Sequence, residues 1–300
     1  MALRVASAPI SWGIMEHVAY PAEYPYRRVL NEIAAAGYAG TELGPYGFLP
    51  TEPSTLRQEL GQRTLTLCSA FVDIELGNAS AHKQGLDYVG RSARLISAAG
   101  ARLLILSDKI TPERNATAGR REDANQLSWT EAEWDAASSA IREVIAQCKT
   151  LGLRVAFHHH AGSHVETAEE VDRLFSLFPA DQLGLCLDTG HYVYCGGDTV
   201  AFLEQQVSRV WCVHLKDVYD DKASEARRAK MNFHAAVRHG IFAPLGKGSI
   251  DFRRIVSLLK KGNFEGWLVV EADVLPGGVG ADAPLPNAIA GRKYLHRLGI

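Results

Sequence analysis

Residues 153–190 have the sequence LRVAFHHHAGSHVETAEEVDRLFSLFPADQLGLCLDTG and contain two short apolar runs, at 153–158 and 184–188. Between these runs, residues 168–178 have the apolar spacing of an amphipathic helix. A strand, a helix and a second strand in this order predict a βαβ unit, in which the two strands run parallel. Because both strands are apolar almost throughout, we expect them to be buried on both faces.

The same alternation continues along the whole chain. Strands are predicted at 4–10, 40–44, 64–71, 102–107, 153–158, 184–188, 210–215 and 267–271. Helices are predicted at 26–36, 56–62, 82–99, 129–150, 168–178, 200–207, 252–261 and 288–298. For 300 residues, this pattern predicts an α/β fold, a single (β/α)8 TIM barrel over residues 1–300. Long βα loops are expected at about 111–128 and 218–247.

A doubly wound sheet is the alternative architecture. Its first turn usually carries a glycine-rich phosphate loop, whereas the turn after the first predicted strand is SWGI at 11–14. This turn lacks the glycine spacing of such a loop, and we therefore favour the barrel.

Composition excludes several classes of partner. The formal net charge is −2, from 32 basic and 34 acidic residues, so the chain has no electrostatic footprint for nucleic acid or for an anionic membrane. The amino-terminal segment lacks the apolar region of a signal peptide. The 5 cysteines form no CxxC pair, which favours a reducing, cytoplasmic location. Cys186 and Cys212 are expected only to fill the barrel interior.

Metal-binding side chains end four consecutive predicted strands. Catalytic residues of TIM barrels lie at these carboxyl ends, and side chains two apart on a strand share a face. The inward candidates are His158 and His160 on strand 5, Asp188 on strand 6, His214 on strand 7 and Glu271 on strand 8. A histidine and carboxylate set without thiolates suits a divalent ion such as Mn²⁺, Co²⁺, Fe²⁺, Mg²⁺ or Zn²⁺.

Further side chains at strand ends are candidates for contact with substrate. Lys216 and Lys109 either bind a substrate oxygen, transfer protons or form a salt bridge at the rim, and for Lys216 that salt bridge would be to Asp273. A metal ion beside Lys216 would lower its pKa. Glu42 is expected to be buried and to need a partner, either a substrate hydroxyl or a lysine. Trp12 is either a packing residue or an apolar wall for a sugar ring.

Seven stretches give the chain a family resemblance. They are APISW at 8–12, AGYAGTEL at 36–43, LRVAFHHHAG at 153–162, LDTGH at 187–191, VHLKDV at 213–218, HGIFAPLGKGSIDF at 239–252 and EGWLVVEAD at 265–273. Together they resemble the xylose-isomerase-like sugar isomerase and epimerase superfamily. The triple histidine is similar to the inosose dehydratase branch. The stretches at 13–20 and 107–110 depart from that branch, which leaves the exact substrate open.

The resemblance implies one divalent metal ion, with Mn²⁺ or Co²⁺ expected first, and one ligand from each of strands 5 to 8. Asp188, His214 and Glu271 match the last three ligands. For the first ligand we expect His160, because Glu166 lies six residues later, where related epimerases have a substrate-binding glutamate. His158 and Glu166 are the alternatives for this ligand. His191 matches a substrate-binding histidine of those epimerases.

The expected activity is dehydration of a keto-cyclitol (an inosose) or related keto-sugar through a metal-stabilised enediolate. The base would be His158 or Glu166, and the acid Lys216 or His191, while Glu42 and Lys109 would orient hydroxyl groups. A sugar or inosose isomerase or epimerase is the main alternative. A non-catalytic sugar-binding barrel and a metal-dependent endonuclease are more remote. The expected partner is a small molecule, and the oligomeric state, a dimer or tetramer included, stays open.

Overall fold

The computed structural model describes residues 3–16, 19–273, 275 and 283–300. Its strands are β1 (Arg4–Ser7), β2 (Gly40–Glu42), β3 (Thr66–Ile74), β4 (Leu103–Asp108), β5 (Arg154–His158), β6 (Gly184–Asp188), β7 (Val210–Leu215), β8 (Asp217–Val218), β9 (Phe242–Ala243) and β10 (Trp267–Val270). Strands β1 to β7 follow one another around a closed parallel barrel, and β10 closes it between β7 and β1. The predicted TIM barrel is therefore confirmed. Strands β8 and β9 form a small antiparallel ribbon beside it.

Helices follow the barrel strands as the sequence predicts, with ends that differ by a few residues. They are α1 (Tyr26–Ala35), α2 (Pro53–Gly61), α3 (His82–Ala98), α4 (Pro112–Thr117), α5 (Arg121–Asn125), α6 (Glu131–Thr150), α7 (Ala168–Ser176), α8 (Thr189–Tyr194), α9 (Thr199–Gln206), α10 (Asp220–Arg228), α11 (Phe233–His239), α12 (Phe252–Lys261) and α13 (Pro284–Arg297). Within the described ranges, none of the helices has the length and apolar character needed to cross a membrane.

Alternate strand residues enter two separate apolar layers. On β4, Leu104 and Leu106 join the large cluster between the barrel and the helices, whereas Ile105 belongs to the cluster inside the barrel. That inner cluster also contains Cys186 and Cys212, as the predicted parity requires. The inner layer contains alanines and cysteines as well as larger side chains, because little space remains where eight strands converge.

The structure differs from the prediction at the first strand and at the two long loops. The first strand was expected to reach residue 10 but ends at Ser7, because Pro9 begins a short 3₁₀ turn (Pro9–Trp12) and has no N–H to donate to a ladder. The predicted long loops contain α4 and α5 in the first segment and α10, α11 and β9 in the second. These helices have only five to nine residues, too short to show periodicity. Side-chain caps begin two of them: Thr111 accepts from the N–H of Arg114 at α4, and Asn232 accepts from the N–H of Ala235 at α11.

A buried guanidinium joins the helix after β4 to the segment after β5. Arg114 has no solvent exposure, and both of its terminal nitrogens lie 2.9 Å from the carboxylate oxygens of Glu170. Its Nε donates to the carbonyl oxygen of Ser163 at 2.7 Å. The fork geometry satisfies the buried charge and fixes two loops together.

Glu166 lies at the edge of this cluster. Its carboxylate accepts a hydrogen bond from the N–H of Gly162 and lies 3.6 Å from Arg114, which is already paired with Glu170. Burial raises the pKa of Glu166 to about 7, an effect that Arg114 only partly offsets. The carboxyl group is therefore largely protonated below neutral pH.

We predict that the free energy of unfolding of Glu166→Gln, relative to that of wild type, is higher at pH 8 than at pH 5. A raised pKa means that the folded state binds more protons than the unfolded state between the ordinary pKa and about 7, so the free energy of unfolding falls as pH rises through this window. The amide removes this loss, which is about 3 kcal/mol or less. Urea unfolding at pH 5 and pH 8 measures it. The exposed neighbour Glu169→Gln is the control and should show little pH-dependent change. An equal effect of Glu166→Gln at both pH values would contradict the prediction.

Candidate active site

A pocket of about 560 Å³ opens at the carboxyl ends of the barrel strands. Its lining includes Glu42 at the end of β2, Asp73 on β3, His158 on β5, His214 on β7 and Glu271 directly after β10. Helix α11 covers one side with Phe233, His234, Val237 and Arg238. The pocket, called the mouth pocket below, occupies the position where TIM-barrel enzymes have their active sites.

Donor atoms of four side chains meet pairwise at the base of the mouth pocket, and three of these side chains line it. The Oδ2 atom of Asp188 lies 3.6 Å from Nε2 of His158 and 3.9 Å from Nδ1 of His214. The same Nδ1 lies 3.2 Å from Oε2 of Glu271. These side chains leave four neighbouring strand ends, those of β5, β6, β7 and β10, because each occupies an inward position. We call them the upper ligand set.

The upper ligand set has the chemistry that a divalent metal ion requires. Donor atoms about 2.1 Å from one ion lie about 3 to 3.5 Å apart, and the observed separations are at or slightly above this range. Nδ1 of His214 and Oδ2 of Asp188 are buried and form no hydrogen bond of good geometry among the described residues. Oδ2 of Asp188 has an ion pair with Lys216, and Nδ1 of His214 has a contact with Glu271, so each atom can still take a metal ion as a further partner. The histidine, aspartate and glutamate donors therefore fit a divalent ion.

Both carboxylates of the upper ligand set are held in the ionised form. Burial alone would raise the pKa of Glu271, but His214 and Lys216 outweigh it and lower that pKa to about 2. Burial opposes ionisation of Asp188 as well, yet the ammonium of Lys216 holds the pKa of Asp188 well below its ordinary value. Ionised carboxylates are the form that binds cations.

The strand 5 histidines take the opposite places from those predicted. His158 joins Asp188 and His214, whereas Nδ1 of His160 lies 2.8 Å from the carbonyl oxygen of Ala161 and its ring lies 3.9 Å from that of His191. The physical reason is that β5 ends at His158, so the alternation of faces does not extend to His160. His160 lines the mouth pocket and is not part of the upper ligand set.

Lys216 is the cation of the site. Its Nζ lies 2.7 Å from Asp273, 3.2 Å from Asp188 and 3.3 Å from Glu271. Burial alone would lower the pKa of Lys216, but these carboxylates hold it above its ordinary value. These carboxylates thus raise the pKa of Lys216, whereas a nearby metal ion was expected to lower it. The expected structural partner Asp273 is confirmed. Gly190 provides the space, since a Cβ there would lie 2.7 Å from the lysine chain.

His191 is a neutral acceptor beside this lysine. Burial, with His160 and Lys216 nearby, lowers the pKa of His191 well below its ordinary value. Its Nε2 lies 3.0 Å from Nζ of Lys216 and accepts from the ammonium. The carboxylate of Asp188 accepts from the backbone N–H of His191 at 2.8 Å and thereby caps α8. His191 is thus brought to the mouth pocket as predicted.

Two predicted site residues lie elsewhere. Glu166 is turned toward Arg114 and lies outside the lining of the mouth pocket, because Gly162 and the buried guanidinium hold its carboxylate. Trp12 is also outside the lining, and its indole donates to Glu32 on α1 at 2.6 Å. Trp12 is therefore a packing residue, and the apolar wall expected from it is wrong.

Glu42 and Lys109 both line the mouth pocket, but each already has a partner in the chain. Oε1 of Glu42 accepts from Oγ of Ser69 at 2.8 Å and lies 3.1 Å from Nε2 of His214. Its partners in the chain are thus a serine and a histidine of the upper ligand set and not a lysine, and the substrate hydroxyl expected as the other partner stays a prediction. Lys109 lies 3.5 Å from Glu75 at the partly exposed rim, which is the salt bridge expected as the alternative.

The sequence did not single out Glu16, Asp73, Phe233 or Arg238 as site residues, yet all four line the mouth pocket. Burial and the nearby Asp73 raise the pKa of Glu16 to about 8. The inward parity of Phe71 and Asp73 on β3 was the available signal for Asp73. For Phe233, the signal was its four-residue spacing to Val237 within a segment that otherwise looked like a loop.

Comparison with known proteins gives the site a family context. Residues 30–296 match the profile described as xylose isomerase-like TIM barrel. The chain belongs to this family. Inosose dehydratase from Geobacillus kaustophilus (strain HTA426) is 32% identical over 98% of this chain and 94% of its own length. The rhizopine catabolism protein MocC from Rhizobium meliloti is 33% identical, over 99% and 89% of the two chains.

Solved structures agree with the family at the level of the fold. The IolI protein, whose crystal structure contains a zinc atom, has a TM-score of 0.72 at 15% identity, with 98% of this chain and 96% of that chain covered. The family profile and the curated relatives confirm the family resemblance expected from the seven sequence stretches.

We predict that His158, and not His160, determines metal affinity. Calorimetric titration of the metal-free chain with Mn²⁺ should show an affinity loss of roughly a hundredfold or more for His158→Ala, since loss of even an outer partner costs up to about a hundredfold. His160→Ala is the matched control and should bind Mn²⁺ nearly as wild type does. A loss of Mn²⁺ affinity in His160→Ala but not in His158→Ala would show that His160 is the ligand, as the sequence predicts.

Proposed function

We propose that this chain is a carbon–oxygen lyase that dehydrates an inosose or a related keto-cyclitol, with a divalent metal ion held by His158, Asp188, His214 and Glu271. The observation that carries the proposal is the convergence of this ligand set with the buried ammonium of Lys216 beneath a pocket large enough for a six-membered ring. Curated relatives named inosose dehydratase, which align with nearly the whole chain, support the substrate class.

The metal ion, when bound, supplies a Lewis acid that makes a proton next to the substrate ketone more acidic. The chain has to supply an acceptor for that proton. Burial and nearby His158 lower the pKa of His160 to about 4, so its imidazole is neutral at pH 7. Its Nδ1 is committed to the carbonyl of Ala161, which leaves Nε2 to accept. His160 therefore takes the role of base, because His158 joins the ligand set and Glu166 lies outside the pocket.

The chain also has to help the departing hydroxyl group. Lys216 lines the mouth pocket as an ammonium ion that Asp273 and His191 hold in place. An N–H of this group donates to the oxygen that leaves. The bond between that oxygen and carbon breaks as the α-proton moves to His160 and the leaving oxygen takes a proton from Lys216, which gives water and an enol that rearranges to a diketone. Transfer of the proton from His160 through solvent then returns Lys216 to its ammonium form. Fixed donors of this kind stabilise charge without reorganising during the reaction.

We predict that the wild-type chain, loaded with Mn²⁺ and incubated with inososes and ketoses in D₂O, releases water from an inosose. Mass spectrometry follows the loss of one water molecule from the substrate. Chelator-treated protein should lose this activity and regain it with Mn²⁺, because proton removal depends on the Lewis acid. Deuterium incorporation without loss of water would instead establish an isomerase or epimerase. Full activity without metal would exclude the proposed mechanism.

We predict that Lys216→Met lowers turnover by roughly a hundredfold or more, the scale for removal of a proton-transfer group. The variant should keep its bound Mn²⁺ and its helical content, which metal analysis and circular dichroism check. Lys149→Met, at the exposed end of α6, is the control and should retain normal turnover. Normal turnover of Lys216→Met with reduced thermal stability would show that the lysine only balances charge.

A further inference from the structure

A layer of thiols lies directly beneath the upper ligand set. Cys186 and Cys212 are register partners on β6 and β7, and both are fully buried inside the barrel. Each lies two residues before a member of the upper ligand set, Asp188 and His214 respectively, and so occupies the next inward position down its strand. The pair thus lies immediately below the metal donors.

The two thiols and His214 are close enough to bind one ion. A sulfur atom from each cysteine and a ring nitrogen of His214 all lie within 4.8 Å of one another. Tetrahedral zinc has metal–sulfur bonds of about 2.3 Å and metal–nitrogen bonds of about 2.0 Å, which place its donor atoms about 3.5 to 3.8 Å apart. The three side chains therefore need to contract by only about 1 Å.

We propose that Cys186, Cys212 and His214 form a second metal site, specific for a thiophilic divalent cation such as Zn²⁺ or Cd²⁺. Thiolates prefer soft cations, whereas the carboxylates above favour harder ones. On binding, each thiol loses its proton to solvent and forms a sulfur–metal bond, so two protons are released for each cation. Two thiolates and a neutral imidazole balance the charge of the ion, as burial requires.

The two sites compete for one side chain. Nδ1 of His214 faces Glu271 and Asp188 in the upper ligand set, and Nε2 lies 3.1 Å from Glu42. A cation bound by the thiols takes one of these nitrogens and disturbs the other contacts of the ring. Because His214 lines the mouth pocket, a cation reaches the thiols past this ring. The lower site therefore makes the active site sensitive to soft metal ions.

The experiment uses Cd²⁺ alone as the probe, with the full chain kept metal-free and reduced by a phosphine. Cadmium bound to thiolates gives an ultraviolet charge-transfer band that carboxylate sites do not give. Wild type should show this band, saturating at one cadmium per chain. Cys186→Ser and Cys212→Ser should each weaken cadmium binding by roughly a hundredfold. Cys148→Ser, which changes a buried cysteine on α6 outside the barrel, should leave the band unchanged.

Two further results decide the inference. Glu271→Gln should keep the band, because that residue belongs only to the upper ligand set, and loss of the band there would show that the two sites are not separate. The double variant Cys186→Ala and Cys212→Ala, checked for folding by circular dichroism, should lose the band completely. Absence of the band in folded wild type, or its persistence in the double variant, would overturn the second site. None of these measurements uses a substrate, so failure of the proposed dehydration leaves them valid.

Discussion

The buried ammonium of Lys216 is the interaction on which the site depends. A lone charge inside a barrel is costly, and it is stable only where opposite charges and hydrogen bonds surround it. Asp188, Glu271 and Asp273 supply these charges from the ends of β6 and β10. The lysine therefore contacts carboxylates at both strand ends and lowers the pKa of Asp188 and Glu271.

Asp273 makes this arrangement compatible with a bound metal ion. The shortest contact of Lys216 is to Asp273, at 2.7 Å, and this pair is neutral by itself. A divalent ion neutralises Asp188 and Glu271, so the lysine keeps a partner when those carboxylates turn to the metal. The charges of Lys216, these three carboxylates and a divalent ion thus sum to zero, which favours their burial together. His191, held neutral beside the lysine, adds a hydrogen-bond acceptor without adding charge.

Chemistry inside the barrel changes with depth. The outermost inward positions of β6 and β7 carry a carboxylate and an imidazole, and the next positions down carry two thiols. His214 lies close to both the thiols and the upper ligand set, and Nε2 of its ring contacts Glu42. Around this core, part of the lining of the mouth pocket comes from elements outside the barrel, above all α11. The buried Arg114 fixes Ser163 and Glu170, which follow β5, against α4.

The sequence by itself determined the barrel and placed three of the four residues of the upper ligand set. Apolar strands alternating with amphipathic helices permit few other folds, and the period of two along a strand places Asp188, His214 and Glu271 on its inner face. Tertiary structure alone decided the rest. The alternation stops where β5 ends, so it could not distinguish His158 from His160. Glu166 is held by Arg114, which is 52 residues away, and Trp12 by Glu32. Such partners come together only when the chain folds, because local periodicity contains no information about contacts between distant segments.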